Sequence, residues 1–346
     1  MRTFDYQHLP SKLFSGKVSA ANARVYEDKG KLEQLRQTHG DELEALRAQA
    51  HFDNVDASTR IEGLYAQPGR TRELLDGADP VDEMEQQILG YSNALRLVEE
   101  QGGDLGLSTS SILAFYEALY GYRELGRKSR YRKKDYIYVQ VDGHPQAMPV
   151  SPITAFETPL VLGGACDSLA ETFESDSCSP LISNAVFTVD LLCIRPFDEG
   201  NGRISRLFSD HMLMKAGFDI ARFESIDRIA ESSAMDYYNA LNACVEKWDR
   251  GMNDYEPFVL YWLELVHQAY LQLFDKVNAA SGQKVGKTER VMLAVQRAGK
   301  PVSKRDIKAK LPDVSEATIE AALGKLVKDG AVQKLGAGRA TTYLWL

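Results

Sequence analysis

The segment Arg195-Pro196-Phe197-Asp198-Glu199-Gly200-Asn201-Gly202-Arg203-Ile204-Ser205-Arg206 gathers residue types suited to a charged ligand. It follows the apolar stretch Leu181 to Ile194 and leads into Ile204 to Lys215, both read as helices. A loop feeding a helix N-terminus offers unpaired backbone N–H groups backed by the positive helix end, which is an anion-binding arrangement. Gly200 and Gly202 let the backbone approach a ligand closely. Arg203 and Arg206, three apart, share a helix face on which two guanidinium forks can grip a polyphosphate. Glu199 is a hard carboxylate at the mouth of the loop, the kind of single ligand Mg²⁺ accepts beside substrate phosphates. Together these residues point to a nucleotide-phosphate site. On residue types alone the alternative stays open: incidental glycines, with the arginines spent in surface ion pairs.

The scaffold needed to hold such a loop is mostly helical. Lys17 to Thr38 and Asp41 to Asp53 read as two helices joined at His39–Gly40. Val81 to Gln101 and Ser108 to Tyr120 read as two more, with Ser108 an N-cap. After Asn253, the residues Phe258, Trp262, Leu265, Val266, Ala269, Leu273 and Val277 form one apolar stripe at helical spacing, which is core packing. Tyr136 to Val141, the turn dipeptide Asp142–Gly143 and Gln146 to Val150 read instead as a β-hairpin. Before it, Arg127 to Lys134 carries six Lys/Arg in eight residues. That run is a solvated loop, or a patch that meets a phosphate or an acidic partner.

With 346 residues, the chain is long enough for two or three domains. A hydrophobic content of 44% with 26% charged residues excludes a fibrous or mostly disordered protein. The apolar stretch Ala185 to Ile194 contains Asp190 and falls far short of the roughly twenty residues a spanning helix needs. Met1 to Phe14 holds no apolar signal core, so a soluble, cytoplasmic protein with no membrane partner is expected. Cys166, Cys178, Cys193 and Cys244 form no C-x-x-C pair, and no H-E-x-x-H pattern occurs, so free thiols and no dedicated zinc site are expected.

The net charge of −8 is uneven: Lys284 to Leu346 holds 13 Lys/Arg against 6 Asp/Glu. A basic tail on an acidic body sets a seam in Asn278 to Gly286 and raises nucleic acid as a partner. The expected organisation is a helical N-terminal region (1–80), a central domain (81–283) and a tail domain (284–346). In the tail, Thr288 to Ala298, Ser303 to Lys310 and Ser315 to Asp329 read as helices, and Val332 to Leu335 with Thr341 to Leu346 as a hairpin. This pattern resembles a winged helix-turn-helix domain. Its presumed recognition helix holds Glu316 and Glu320 and no arginine, which favours docking to a protein partner or homodimerisation over DNA.

The loop also resembles a known family. Fic proteins carry H-x-F-x-[DE]-G-N-G-R-x-x-R between two helices. This chain matches Phe197, Glu199, Gly200, Asn201, Gly202, Arg203 and Arg206 at that spacing, and Pro196 is also usual there. The resemblance spans roughly residues 55 to 220 and implies a mainly α fold: a Fic-type helical domain with the hairpin as its flap, beside the winged-helix-like tail. It implies transfer of AMP from ATP to a hydroxyl of a target protein. In that reading Glu199 holds Mg²⁺ and Gly200 to Gly202 wrap the phosphates. Arg203 and Arg206 hold the β- and γ-phosphates, and the flap at Tyr136 to Val150 docks the target by strand addition. Ser58-Thr59-Arg60-Ile61-Glu62-Gly63 resembles the family's inhibitory motif [ST]-x-x-x-E-[GN], which implies that Ser58, Glu62 and Gly63 restrain Arg206. Gly63 is also the residue expected to end a helix.

One letter departs. The family's base histidine is replaced by Arg195, and a guanidinium has no acceptor for the target's proton. Loss of a general base costs roughly 10²–10⁴-fold. His211 lies two turns beyond the loop and reads as a core histidine, and His144 belongs to the hairpin. Three functions follow: a slowed adenylyltransferase, an ATP-binding regulator, or an enzyme that removes AMP with Glu62 orienting water.

Overall fold

Apolar residues recurring every three to four positions wind most of the chain into helices. The computed structural model describes residues 2–122, 131–135, 153–280, 286–296, 298–336, 338 and 341–345. The expected hairpin over Tyr136 to Val150, with His144, lies outside the described residues, as do Arg127 to Arg130 of the basic run.

The chain divides into two compact units, Met1–Tyr270 and Leu271–Leu346. The first holds α1 (Gly16–Thr38), α2 (Gly40–Ile61), α3 (Arg70–Leu75), α4 (Glu83–Gln101), α5 (Thr109–Tyr120), α6 (Thr158–Ser175), α7 (Pro180–Ile194), α8 (Asn201–Lys215), α9 (Ile226–Ser232) and α10 (Ala234–Val245). Helix α11 (Glu256–Ala280) begins in it, and the division falls inside that helix. The second unit holds α12 (Lys287–Gln296), β1 (Val302–Ser303), α13 (Lys304–Lys310), α14 (Glu316–Lys328), β2 (Val332–Leu335) and β3 (Thr342–Trp345).

Two boundaries correct the sequence reading. Helix α2 continues past Asp53 to Ile61, because Val55, Ala57 and Ile61 keep its buried face going. Helix α8 begins at Asn201 rather than Ile204, because Gly200 takes the N-cap in a left-handed conformation. Helix α7 is buried on every side from Leu181 to Ile194, hence its almost unbroken apolar run. Its one charge, Asp190, accepts hydrogen bonds from Tyr6, Trp248 and Tyr255, with Arg2 alongside. Helices α4 and α5 cross closely: a Cβ on Gly90 would overlap the carbonyl of Leu119. That crossing sets the end of α5, and with it Tyr120, against the loop.

In the second unit β3 lies between β1 and β2, both antiparallel, with Val302 opposite Tyr343 and Val332 opposite Trp345. Val291, Val295, Ile307, Ile319, Leu323 and Tyr343 fill its core. Ser303 and Asp306 form a capping box on α13, and Ser315 caps α14. Among the described residues no helix is long and apolar enough to cross a membrane. The four cysteines are free and buried.

Candidate anion-binding site

Helix α7 ends at Arg195, which is left-handed at φ 48° and donates its N–H to Leu191 O at 3.0 Å. Glycine is the usual residue for that cap conformation. The chain then turns around Phe197, which is buried and stacks on Tyr116 of α5 with ring centroids 3.9 Å apart. Asn201 braces the turn from inside: its side chain donates to Phe197 O at 2.8 Å and accepts from Phe197 N at 3.0 Å. Arg132 N ties the neighbouring segment to Pro196 O at 2.8 Å.

Gly200, at φ 75°, opens α8 without a side-chain cap. The first-turn N–H groups of Asn201, Gly202 and Arg203 therefore have no intrahelical acceptor. A Cβ on Gly200 would come within 2.8 Å of the Tyr120 hydroxyl, so only glycine fits. Asp198 and Glu199 are exposed at the loop's mouth. Among the described residues no group of three or more His, Cys, Asp or Glu is placed to hold a metal.

The two motif arginines leave α8 in different company. Arg203 is buried and its Nη2 donates to Gln87 Oε1 (2.7 Å) and the Tyr120 hydroxyl (2.8 Å). Its Nε and Nη1 are buried with no acceptor among the described residues. An unpaired buried charged donor is costly, so this is a place for an anion. Arg206 Nε donates to Ser58 Oγ at 2.9 Å, and Nη2 to Ser58 O at 3.0 Å and Glu62 Oε1 at 2.9 Å. Asp227 Oδ2, which accepts from the Tyr91 hydroxyl at 3.0 Å, lies 3.5 Å from Arg206 Nε. Burial works against the charge on Arg206, but Glu62 and Asp227 outweigh it and push its pKa up.

Glu62 reaches the loop from a sequence distance of 144 residues because α2 stops where it does. Gly63, left-handed at φ 79°, donates to Arg60 O, and Leu64 N donates to Thr59 O. This is a Schellman ending, with Glu62 as the C-cap. The glycine ends the helix, and the preceding carboxylate pairs with Arg206. The carboxylate rests on α8: a Cβ on Gly202 would overlap Glu62 Oε1. Helix α2 is tied down along its length. His51 bridges Glu99 and Ser92 of α4, while Arg228 of α9 pairs with Asp53 and Asp56.

Arg195 is half-buried, and its Nε is buried without a partner among the described residues. Burial pushes its pKa down and the Glu62 charge pulls it back up. His211 lies elsewhere, buried between Phe115 and Phe208, and burial lowers its pKa to about 4. Gln87, Tyr91, Tyr120 and Asp227 are site neighbours with no motif to mark them; only the helix packing brings them in.

No family model matches the chain. It is 25% identical over 224 residues to the protein adenylyltransferase Fic of Drosophila mojavensis, covering 63% of this chain and 40% of that protein. Against the protein of the same name from Drosophila grimshawi it is 26% identical over 231 residues, covering 63% and 42%. The chain thus spans about two fifths of the length of these curated relatives. In fold it is similar to a Fic family protein from Desulfovibrio desulfuricans G20, with a TM-score of 0.61, 18% identity and 98% of each chain covered. It is also similar to a Fic domain containing signaling protein from Bacteroides thetaiotaomicron, with a TM-score of 0.58, 18% identity, and 77% and 98% coverage. In sequence the chain is thus similar to proteins named protein adenylyltransferase Fic, and in fold to Fic family structures.

Proposed function

We propose that this chain binds Mg²⁺–ATP in the loop of residues 199–206 and is a protein adenylyltransferase, restrained by Glu62 and slowed by Arg195. The observation that carries the reading is Arg203, with two buried donors lacking an acceptor among the described residues, beside the open first turn of α8. The relatives named protein adenylyltransferase supply the reaction class. In the transfer, a target hydroxyl oxygen bonds to the α-phosphorus, the bond to pyrophosphate breaks, and the hydroxyl proton departs. The metal supplies charge neutralisation across the phosphates, held by Glu199. Arg203 and Arg206 grip the β- and γ-phosphates, and the α8 N-terminus faces them. Glu62 occupies Arg206 Nη2 and lies over Gly202, so a γ-phosphate must displace it. The second unit, winged-helix-like in its element order, docks a partner.

Arg195 supports a second reading, an ATP-holding regulator without transfer, since it cannot accept the departing proton. Incubation with α-labelled ATP separates the two. Glu62→Gly alone and Arg195→His alone each gain little transfer, because the other block remains. The double variant exceeds the sum of both gains, read as self-labelling or labelling of lysate proteins. A double variant that binds ATP and labels nothing leaves the regulator.

A further inference from the structure

Glu62 already fills an anion position in this protein. Its carboxylate lies against Gly202 in the first turn of α8 and bonds Arg206 Nη2 at 2.9 Å. The other half-buried cation at this loop is Arg195, four residues before the exposed Glu199. Its backbone is fixed by the left-handed cap on α7, and its Nε is buried without a partner among the described residues. When the carboxylate leaves, Arg195 and Arg206 both lose its negative charge, and Asp227 remains 3.5 Å from Arg206. A histidine in place of Arg195 is mostly neutral at pH 7.5 and adds no fixed charge.

We infer that Arg195 is a phosphate ligand of the nucleotide site, so that the residue denying this chain its base also tightens its hold on the triphosphate. The inference rests on the reading of the loop as an ATP site. The buried Nε, unpartnered among the described residues, supports it, and the Glu62 charge acts on that guanidinium against its desolvation. It predicts opposite effects of one substitution: Arg195→His improves proton removal and weakens ATP binding.

The test is calorimetry of Mg²⁺–ATP and of adenosine, in the Glu62→Gly protein and in that protein carrying Arg195→His, Arg195→Gln or Arg195→Lys. A charge-assisted phosphate contact predicts a loss of roughly ten-fold in ATP affinity for His and Gln at pH 7.5. Lys retains most of the affinity, and adenosine binding stays unchanged in all. Melting curves confirm that each variant is folded. His suits the left-handed position better than most residues, so it is the variant on which the decision rests. ATP binding by Arg195→His equal to that of the Glu62→Gly protein overturns the inference and leaves the ATP site standing. Absence of ATP binding in the Glu62→Gly protein itself overturns the ATP site, and the inference with it.

Discussion

Arg203 and Arg206 differ less in burial than in what their buried donors have to bind. Arg206 is met by Ser58, Glu62 and Asp227, whereas Arg203 keeps Nε and Nη1 without acceptors among the described residues. On the reading of the loop as an ATP site, Arg203→Ala removes two donors that meet phosphate. ATP affinity falls roughly ten-fold or more while adenosine affinity holds, as calorimetry will read. Equal losses for both would mean damage to the fold. A second residue effect concerns Asp210, one turn beyond Arg206 in α8. Burial, Asp227 and Glu99 push its carboxyl well above the ordinary value, against the pull of Arg206. An acid with a raised folded pKa binds more protons folded than unfolded. Stability thus rises as pH falls from neutral through that raised pKa, and levels off near the ordinary 3.8. Asp210→Asn removes the titration, so its melting temperature exceeds the parent's at pH 7.5 and the gap closes as the pH approaches 4. A constant gap across that range would show that Asp210 is not the titrating group.

At the scale of elements, α2 carries Glu62 to the loop, and it is held mainly from α4 and α9. Arg228 joins Asp53 and Asp56 at 3.0 and 3.1 Å, with Arg60 and Glu231 paired alongside. The Arg228 side chain is 36% exposed, so solvent screens these pairs and their worth is about 1 kcal/mol or less. Arg228→Ala should lower the melting temperature by about 2–4 °C or less. It should also speed hydrogen exchange at the end of α2 and raise ATP affinity slightly, by about two-fold. Faster exchange with unchanged ATP affinity would uncouple Glu62 from the docking of α2. Those same charges explain what was illegible beforehand. Asp53, Asp56 and Arg60 interrupt the apolar period where α2 runs on, because their partners lie on α9, far along the chain. By contrast α5 was readable at its start, which Ser108 marks as an N-cap, while α4 starts at Glu83 behind Asp82, two residues after the expected Val81.

Across the whole molecule, the loop was legible because its residues are contiguous, and Glu62 because its motif travels with the loop. Gln87, Tyr91, Tyr120 and Asp227 were not, since each is an ordinary helix residue until the packing places it. The basic tail was visible as charge, but charge alone does not fix its partner. In the folded second unit Lys304 pairs with Glu320 and Arg290 with Asp313, so two of its basic residues already have acidic partners. Helix α14 presents Glu316 and Glu320 as exposed residues in its first half, where a base-reading helix places Arg, Asn or Gln. The remaining lysines can still attract phosphate backbone. The full chain should therefore bind duplex DNA weakly and without sequence preference. Binding by a few phosphate contacts decays steeply between 50 and 200 mM salt, by about ten-fold or more, through counterion release. Fluorescence anisotropy on duplexes of unrelated sequence, at both salt concentrations, measures this. A duplex that is preferred over the others and still held at the higher salt would make the tail a base reader, and Glu316→Ala with Glu320→Ala would then be expected to weaken the preference rather than raise affinity for every duplex alike.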